Sequence, residues 1–392
     1  MKVVYSTKNK ILKPCLRIFS IGIACLILGI SGLKAKNGEF TKTISETFAV
    51  ETNTRIEALN KHGDMNIHTW DKNEVKYEVT ITVTAKTEAD AQEDLEGINV
   101  EFTNIPGVVR AETIWEEKEA KKRWSFFDWN SWGSWNGWES GKKIRVDYEV
   151  YMPSANVVDF NNKYGNITFP VFDNDAKFTL KYGNMIGERV GGAFSLDSGY
   201  GNADVSSIGG ESDVYIKYGK LRVNVLQSID IESKYSKIYL DNLHDIRINS
   251  KYDHYELGEV NHISSNGKYD DFEITKANAI EVNSKYSDYY IEELTGEGDF
   301  DMEYSDVKVK NMGENFKNLD LQGKYNSFKF YMPPNSSYMV DTESNYTKLN
   351  FPDGQLTHQK DGSEEEIKGY VGNENTGNRI RARLKYGSLG VR

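Results

Sequence analysis

Two cysteines, seven prolines and six histidines in 392 residues exclude several kinds of protein at once. Both cysteines, Cys15 and Cys25, fall near the start, so the chain beyond them has no disulfide, thiol nucleophile or zinc–thiolate site. The histidines His62, His68, His244, His254, His262 and His358 show no His-x-x-x-His pair, and no metal site is expected from their spacing. There is no Gly-Lys-Ser/Thr phosphate loop, no Gly-x-Ser-x-Gly elbow and no calcium-binding nonapeptide repeat, and no cofactor is expected. Asp270 with Asp271, and Asp299 with Asp301, could be paired carboxylates of a glycosidase or lyase. With 59 acidic residues spread along a repetitive chain, such pairs arise by chance, and the chain is not expected to be an enzyme.

Long apolar runs are also scarce. One spans Ile18 to Leu33, preceded by Lys2, Lys8, Lys10, Lys13 and Arg17 and followed by Lys34 and Ala35. This is the layout of a signal peptide over residues 1–35, and the body of the chain is expected to be exported to the periplasm, the outer-membrane surface or the medium. A retained N-terminal anchor is the alternative, although sixteen residues fall short of the ~20 that usually span a bilayer. Lipidation at Cys25 is disfavoured by Gly22, where leucine is wanted, and by the apolar run continuing past the cysteine. Losing the segment removes six basic residues and no acids, taking the formal charge from -11 to -17. An acidic body argues against nucleic acid as a partner and against simple docking on anionic lipid.

What the chain has in abundance is tyrosine at a fixed interval. Tyr164, Tyr182, Tyr200, Tyr218, Tyr235, Tyr252, Tyr269, Tyr286, Tyr304, Tyr325 and Tyr346 are separated by 17 or 18 residues eight times and then twice by 21, and Tyr386 follows. Such a period marks a solenoid. Around Tyr235, Ile229, Ile231 and Ser233 share its parity, whereas Ile238 and Leu240 have the opposite parity, so the strand must bend between them. The residue after the tyrosine is Gly165, Gly183, Gly201, Gly219, Ser236, Asp253, Asp270, Ser287, Ser305, Asn326 or Thr347, a set that supplies turns and tolerates left-handed backbone. A further apolar residue at plus eight (Phe172, Val190, Ile208, Leu226, Leu243, Val260) gives about five inward positions per coil. The expected fold is an all-β solenoid of eleven to thirteen coils, its tyrosines stacked as a ladder and its core on the order of 50 Å long at ~4.8 Å per coil. Lysine precedes the tyrosine at Lys163, Lys181, Lys217, Lys234, Lys251, Lys268, Lys285, Lys324 and Lys385. By parity it should face away from the ring, as a solvated outer stripe among Asp253, Asp270, Asp271, Asp288 and Asp306.

Residues 36–152 read as a smaller β-rich region. Ile56, Ala58, Asn60, His62, Gly63, Met65 and Ile67 form a degenerate coil in which His62 replaces the tyrosine, as terminal repeats often do. Val75, Tyr77, Val79, Ile81 and Val83 alternate as a strand, Thr87 and Asp90 resemble a helix start, and further strands are expected near 98–103, 108–114 and 144–151. Between the last two lies the oddest segment, 115–143, with six of the seven tryptophans. Trp115, Trp124, Phe126, Phe127, Trp129, Trp132, Trp135 and Trp138 are the candidate binding residues, because clustered aromatics spaced by Asn, Ser and Gly mark a contact surface. A cell-surface glycan, a membrane interface or an envelope protein are the candidate partners. The competing structural role is a flap that covers an open sheet edge.

The repeats are expected over 153–352, a polar, mobile loop over 353–378, and a closing coil over 379–392. The Asn-Lys-Tyr-Gly-Asn-Ile form at Asn162 to Ile167, the Met-Pro pairs at 152–153 and 332–333, and Leu-Lys-Tyr-Gly-Ser-Leu at Leu384 to Leu389 resemble the bacterial putative-adhesin families. That resemblance covers roughly 45–392 apart from the tryptophan segment. It implies an exported envelope β-solenoid and brings no catalytic residues with it. The functional expectation is a non-catalytic adhesin-like scaffold, with a periplasmic protein-interaction module and a carbohydrate-active β-helix enzyme as alternatives.

Overall fold

The computed structural model describes residues 34–36, 38–117, 122–124 and 143–392. They form a β-solenoid whose coils stack by parallel pairing, so that Lys237 lies on His254, His254 on Asp271 and Asp271 on Asp288, with register shifts near Ile208 and Ala277. Within a coil, the strand before the tyrosine and the strand after it each bury alternate residues. In the coil around Tyr235 these are Ile229, Ile231 and Ser233, then Ile238 and Leu240, with Leu243 at the next bend. The five apolar positions read from the sequence are thus the core.

The tyrosine is where the parity argument fails. It shares parity with Ile231 and Ser233 yet is half-exposed, because it adopts left-handed backbone, φ between 49° and 64° at every corner tyrosine and 66° at His62. One residue in that region reverses the side-chain alternation, turning the ring outward and the next residue inward. The left-handed residue is therefore the tyrosine and not the glycine or serine after it, a choice that non-glycine residues make rarely. Glycine stands at plus one for another reason. A Cβ on Gly183 would lie 1.9 Å from the carbonyl oxygen of Gly165, and one on Gly201 1.8 Å from that of Gly183.

The N-terminal region continues the same sheet. Arg55–Lys61 and Met65–Thr69 pair in parallel with Val157–Lys163 and Ile167–Phe172. One layer further out, Val108–Glu117 pairs with Arg55–Lys61 and Lys143–Met152 with Met65–Thr69. Antiparallel strands Ile98–Ile105, Glu74–Thr84 and Glu39–Ala49 then close this end. The helix Glu88–Glu96 buries Ala91 and Leu95, and the hydroxyl of its N-cap Thr87 accepts from the Asp90 amide at 3.2 Å. No helix among the described residues is long and apolar enough to cross a membrane.

Two expectations for the far end are corrected. The segment 353–378 is a hairpin, Gln355–Asp361 with Glu364–Val371, whose second strand pairs antiparallel with Tyr338–Asn345. Buried Ile367 anchors it, a signal masked by the surrounding glutamates. The coil 379–391 does not close the rod. Arg379–Lys385 pairs in parallel with both Asn318–Lys324 and Tyr338–Asn345, so this coil is inserted between two earlier ones.

Candidate functional site

The corner tyrosines assemble as an outer ladder. His62 stacks on Tyr164 at 4.9 Å between ring centres, and the series continues through Tyr182, Tyr200, Tyr218, Tyr235, Tyr252, Tyr269, Tyr286, Tyr304 and Tyr325 at 4.7–5.0 Å. Tyr386 comes next at 5.0 Å and Tyr346 last at 5.3 Å, following the inserted coil rather than the sequence. Planes of neighbouring rings lie within about 11° of parallel. The stack spans on the order of 60 Å at one strand spacing per ring. Each interior ring has both faces covered by its neighbours, so the ladder presents ring edges and phenol hydroxyls. Tyr346, at the end, is the most exposed at 64%.

The lysine before the tyrosine does not face away from it. Because the tyrosine has turned outward, both lie on the surface, and the amines of Lys163 and Lys251 sit 5.0 Å from the rings of Tyr164 and Tyr252. Burial pushes the Lys61 amine below the usual lysine range, and neighbouring Lys163 adds to this. Glutamates relieve the stripe elsewhere, with Lys234 on Glu232 at 3.3 Å and Lys285 on Glu303 at 3.0 Å. Asp253 and Asp270, expected among these lysines, are instead buried inside the corner.

Inside the middle coils the residue after the tyrosine builds a polar column. The Ser236 amide donates to Asp253 Oδ1 at 2.6 Å, the Asp253 amide to Asp270 Oδ1 at 2.9 Å, and the Asp270 amide to Ser287 Oγ at 3.2 Å. Ser287 and Ser305 amides continue it to Ser305 Oγ and Asn326 Oδ1, both at 3.1 Å. Hydroxyls of Ser233 and Ser250 donate to Asp253 and Asp270 at 2.8 and 2.9 Å. Burial pushes the Asp270 carboxyl up to about 6 against these stabilising hydrogen bonds. Asp270 is interior and Asp271 exposed, so this candidate carboxylate pair points to opposite sides of one strand. Asp299 and Asp301 share the outer face of Asp288–Glu303, and burial raises the Asp299 carboxyl, with Asp320, Glu281 and Asp301 adding repulsion.

The tryptophan segment begins where the ladder ends. Leu59 pairs with Glu112 and Met65 with Tyr148, so the strand ends at 112 and 148 stand at the level next to the His62 corner. The Val146 amide donates to the His62 carbonyl at 2.8 Å, and the Asp64 amide to Asp147 Oδ1 at 3.0 Å, which pins the returning strand under that corner. Trp115 is buried, 8% exposed, with its ring edge-on to His62 at 5.7 Å. Burial, with the charges of Lys61 and Lys163, holds His62 down to about 4. Trp124 lies in the short strand Lys122–Trp124, paired opposite Trp115. Phe126, Phe127, Trp129, Trp132, Trp135 and Trp138 lie outside the described residues.

No family model matches the chain, and no curated protein matches it. Among solved structures, it is similar to a chain described as a putative cell adhesion protein from Clostridium sporogenes, at 10% identity and a TM-score of 0.17, covering 89% of this chain and 99% of that one. A second, described as a putative adhesin from Bacteroides fragilis, is 10% identical at a TM-score of 0.19, covering 90% of this chain and 97% of that one.

Proposed function

We propose that this protein is an exported, non-catalytic β-solenoid that serves as an adhesin-like binding scaffold, with the tryptophan-rich segment as its contact site. The observation that carries this reading is where free aromatic faces can occur. Stacking on a sugar ring or insertion at a membrane interface needs an open ring face, and interior tyrosines of the ladder have both faces covered by their neighbours. The strands that precede and follow the tryptophan-rich segment, Val108–Glu117 and Lys143–Met152, are both held in the sheet by the His62 coil. The rod then acts as a spacer that presents this segment at one end.

The test is tryptophan fluorescence of the protein without residues 1–35, titrated separately with lipid vesicles and cell-surface polysaccharides. Six of its seven tryptophans report on 115–138. A blue shift or saturable quench with one ligand class, lost when 118–142 is replaced by a short glycine linker, is the expected result. No response to either, from a protein whose emission is already blue, would overturn the contact site and favour a protein partner in the envelope.

A further inference from the structure

Coil stacking brings together side chains that lie a full repeat apart in sequence. On the outer face after the tyrosine corner, His254 pairs with Asp271 and Glu256 with Glu273, giving a square of one imidazole and three carboxylates. Donor atoms of His254, Asp271 and Glu273 all lie within 4.8 Å of one another, the one such trio of His, Cys, Asp or Glu among the described residues. We propose that His254, Asp271 and Glu273 form a surface site for a divalent transition cation of the zinc class, with Glu256 orienting the imidazole.

Four observations support the assignment. The two nitrogens of His254 are differentiated, with Nδ1 3.0 Å from Asp271 Oδ2 and Nε2 3.2 Å from Glu256 Oε1. A metal-bound histidine characteristically gives its other ring nitrogen to a carboxylate, which fixes tautomer and ring plane. The 3.0 Å between Nδ1 and Asp271 Oδ2 is close to the ~3.3 Å that separates two donors on one tetrahedral zinc. The ring is only partly exposed, its side chain at 26%, and Tyr239 stands against it edge-on at 6.4 Å, which limits its rotation. Negative charge is also in excess, because Asp288 lies on Asp271 in the next coil and Asp306 beyond it. One imidazole with carboxylates suits zinc better than calcium or magnesium, which take oxygen donors alone. The remaining coordination positions would be filled by water or by a donor from outside.

The experiment is calorimetric titration of the full-length chain, made without a histidine tag, with Zn²⁺, alongside visible absorption with Co²⁺. One saturable equivalent is expected, with the absorption of a cobalt ion in a nitrogen–oxygen environment. His254→Ala and Asp271→Asn should each abolish it, and Glu256→Gln should weaken it by about 10- to 100-fold, the usual effect of losing a carboxylate that orients a ligand. His244→Ala removes an exposed histidine whose ring contacts Asp245 at 3.0 Å, and should leave binding unchanged. All four positions are on the surface, and an unchanged far-ultraviolet spectrum shows that the coils are intact. No saturable binding, binding that survives both His254→Ala and Asp271→Asn, or binding lost in His244→Ala would overturn the site.

Discussion

The coils up to Tyr218 and those from Tyr235 to Tyr304 share a corner shape but hold it by different chemistry. In the first group glycine follows the tyrosine, and the strands approach so closely that no Cβ fits. The next residue is asparagine in the coils of Tyr164, Tyr182 and Tyr200, and its side chain works from outside. Asn166 Oδ1 accepts from the Asn184 amide at 3.0 Å and Asn184 Oδ1 from the Asn202 amide at 3.3 Å, a series begun by Asp64 on the Asn166 amide at 2.8 Å. In the second group the ladder has moved inside. The amide that asparagine captured is now taken by the preceding coil's carbonyl, Lys237 to Gly219 at 2.9 Å and His254 to Ser236 at 3.0 Å, and buried Ser and Asp side chains capture the amide one residue earlier. This frees the outer position at His254 and Asp271, whereas at Asp288 the outer capture returns, its Oδ1 accepting from the Asp306 amide at 3.2 Å. The interior also becomes more polar, with Tyr255, Phe272 and Tyr289 stacked at 4.7 and 4.4 Å and the phenol hydroxyls of Tyr255 and Tyr289 on Ser233 and Ser265. A single backbone corner can thus be satisfied from either side, and the choice decides which side is left for other chemistry.

The sharpest way to break this comparison is Gly183→Ala. Its methyl would meet the Gly165 carbonyl at 1.9 Å, and a loss of ~3 kcal/mol or more is expected in chemical unfolding, with faster amide exchange concentrated in neighbouring coils. Next in size is the ladder itself. Tyr252→Ala removes two stacked contacts, at 4.9 and 4.8 Å, and should cost ~1–3 kcal/mol, whereas Tyr346→Ala, with one neighbour, should cost about half as much.

The two regions should then differ in the sign of their pH dependence. Asp270 titrates near 6 when folded, above its usual 3.8, so its contribution is complete below about 3.8 and is lost as pH rises through 6. His62 titrates near 4 when folded, below its usual 6.5, so its contribution is present above 6.5 and is lost as pH falls towards 4. Each is on the order of 1–2 kcal/mol after allowance for relaxation and solvent. Melting temperatures between pH 4 and 7 should show Asp270→Asn removing the loss on the alkaline side and His62→Tyr the loss on the acid side. The smallest change is Ser287→Ala, where one acceptor in the polar column disappears for ~1 kcal/mol.

Periodicity alone gave the solenoid, its core positions and the stacking of like residues, because a repeat forces identical side chains into register. It could not say which residue bends the chain. The rule that glycine takes left-handed backbone pointed to Gly183, while Tyr182 takes it at φ 56° because an outward ring gains two stacked neighbours. The error then propagated, since parity counted through the corner placed the lysines on the wrong side of the ring and Asp253 and Asp270 on the wrong side of the sheet. The neighbours of His254 are illegible in the sequence for a similar reason. Ligand spacing rules search along one strand, and here the partner is 17 residues away, directly above. Of the candidate contact residues, Trp115 is placed at the end of the ladder and Trp124 opposite it in the backbone pairing.

The inserted coil near the far end has a consequence for the order in which the molecule can be built. Synthesis runs from the N-terminus, and each coil up to Tyr325 can settle on the one before it as it emerges. Residues 338–371 cannot. The surface on which they stand, Arg379–Lys385 and Ser388–Val391, has yet to be made when they appear. That segment must wait, with the edges of Tyr338–Asn345 and Lys348–Asn350 unsatisfied on the side of the missing coil, until the 379–391 coil has slipped in beneath it. The far end is therefore assembled last and as a unit, and a chain cut short before residue 379 would lose the end cap as well as the missing coil.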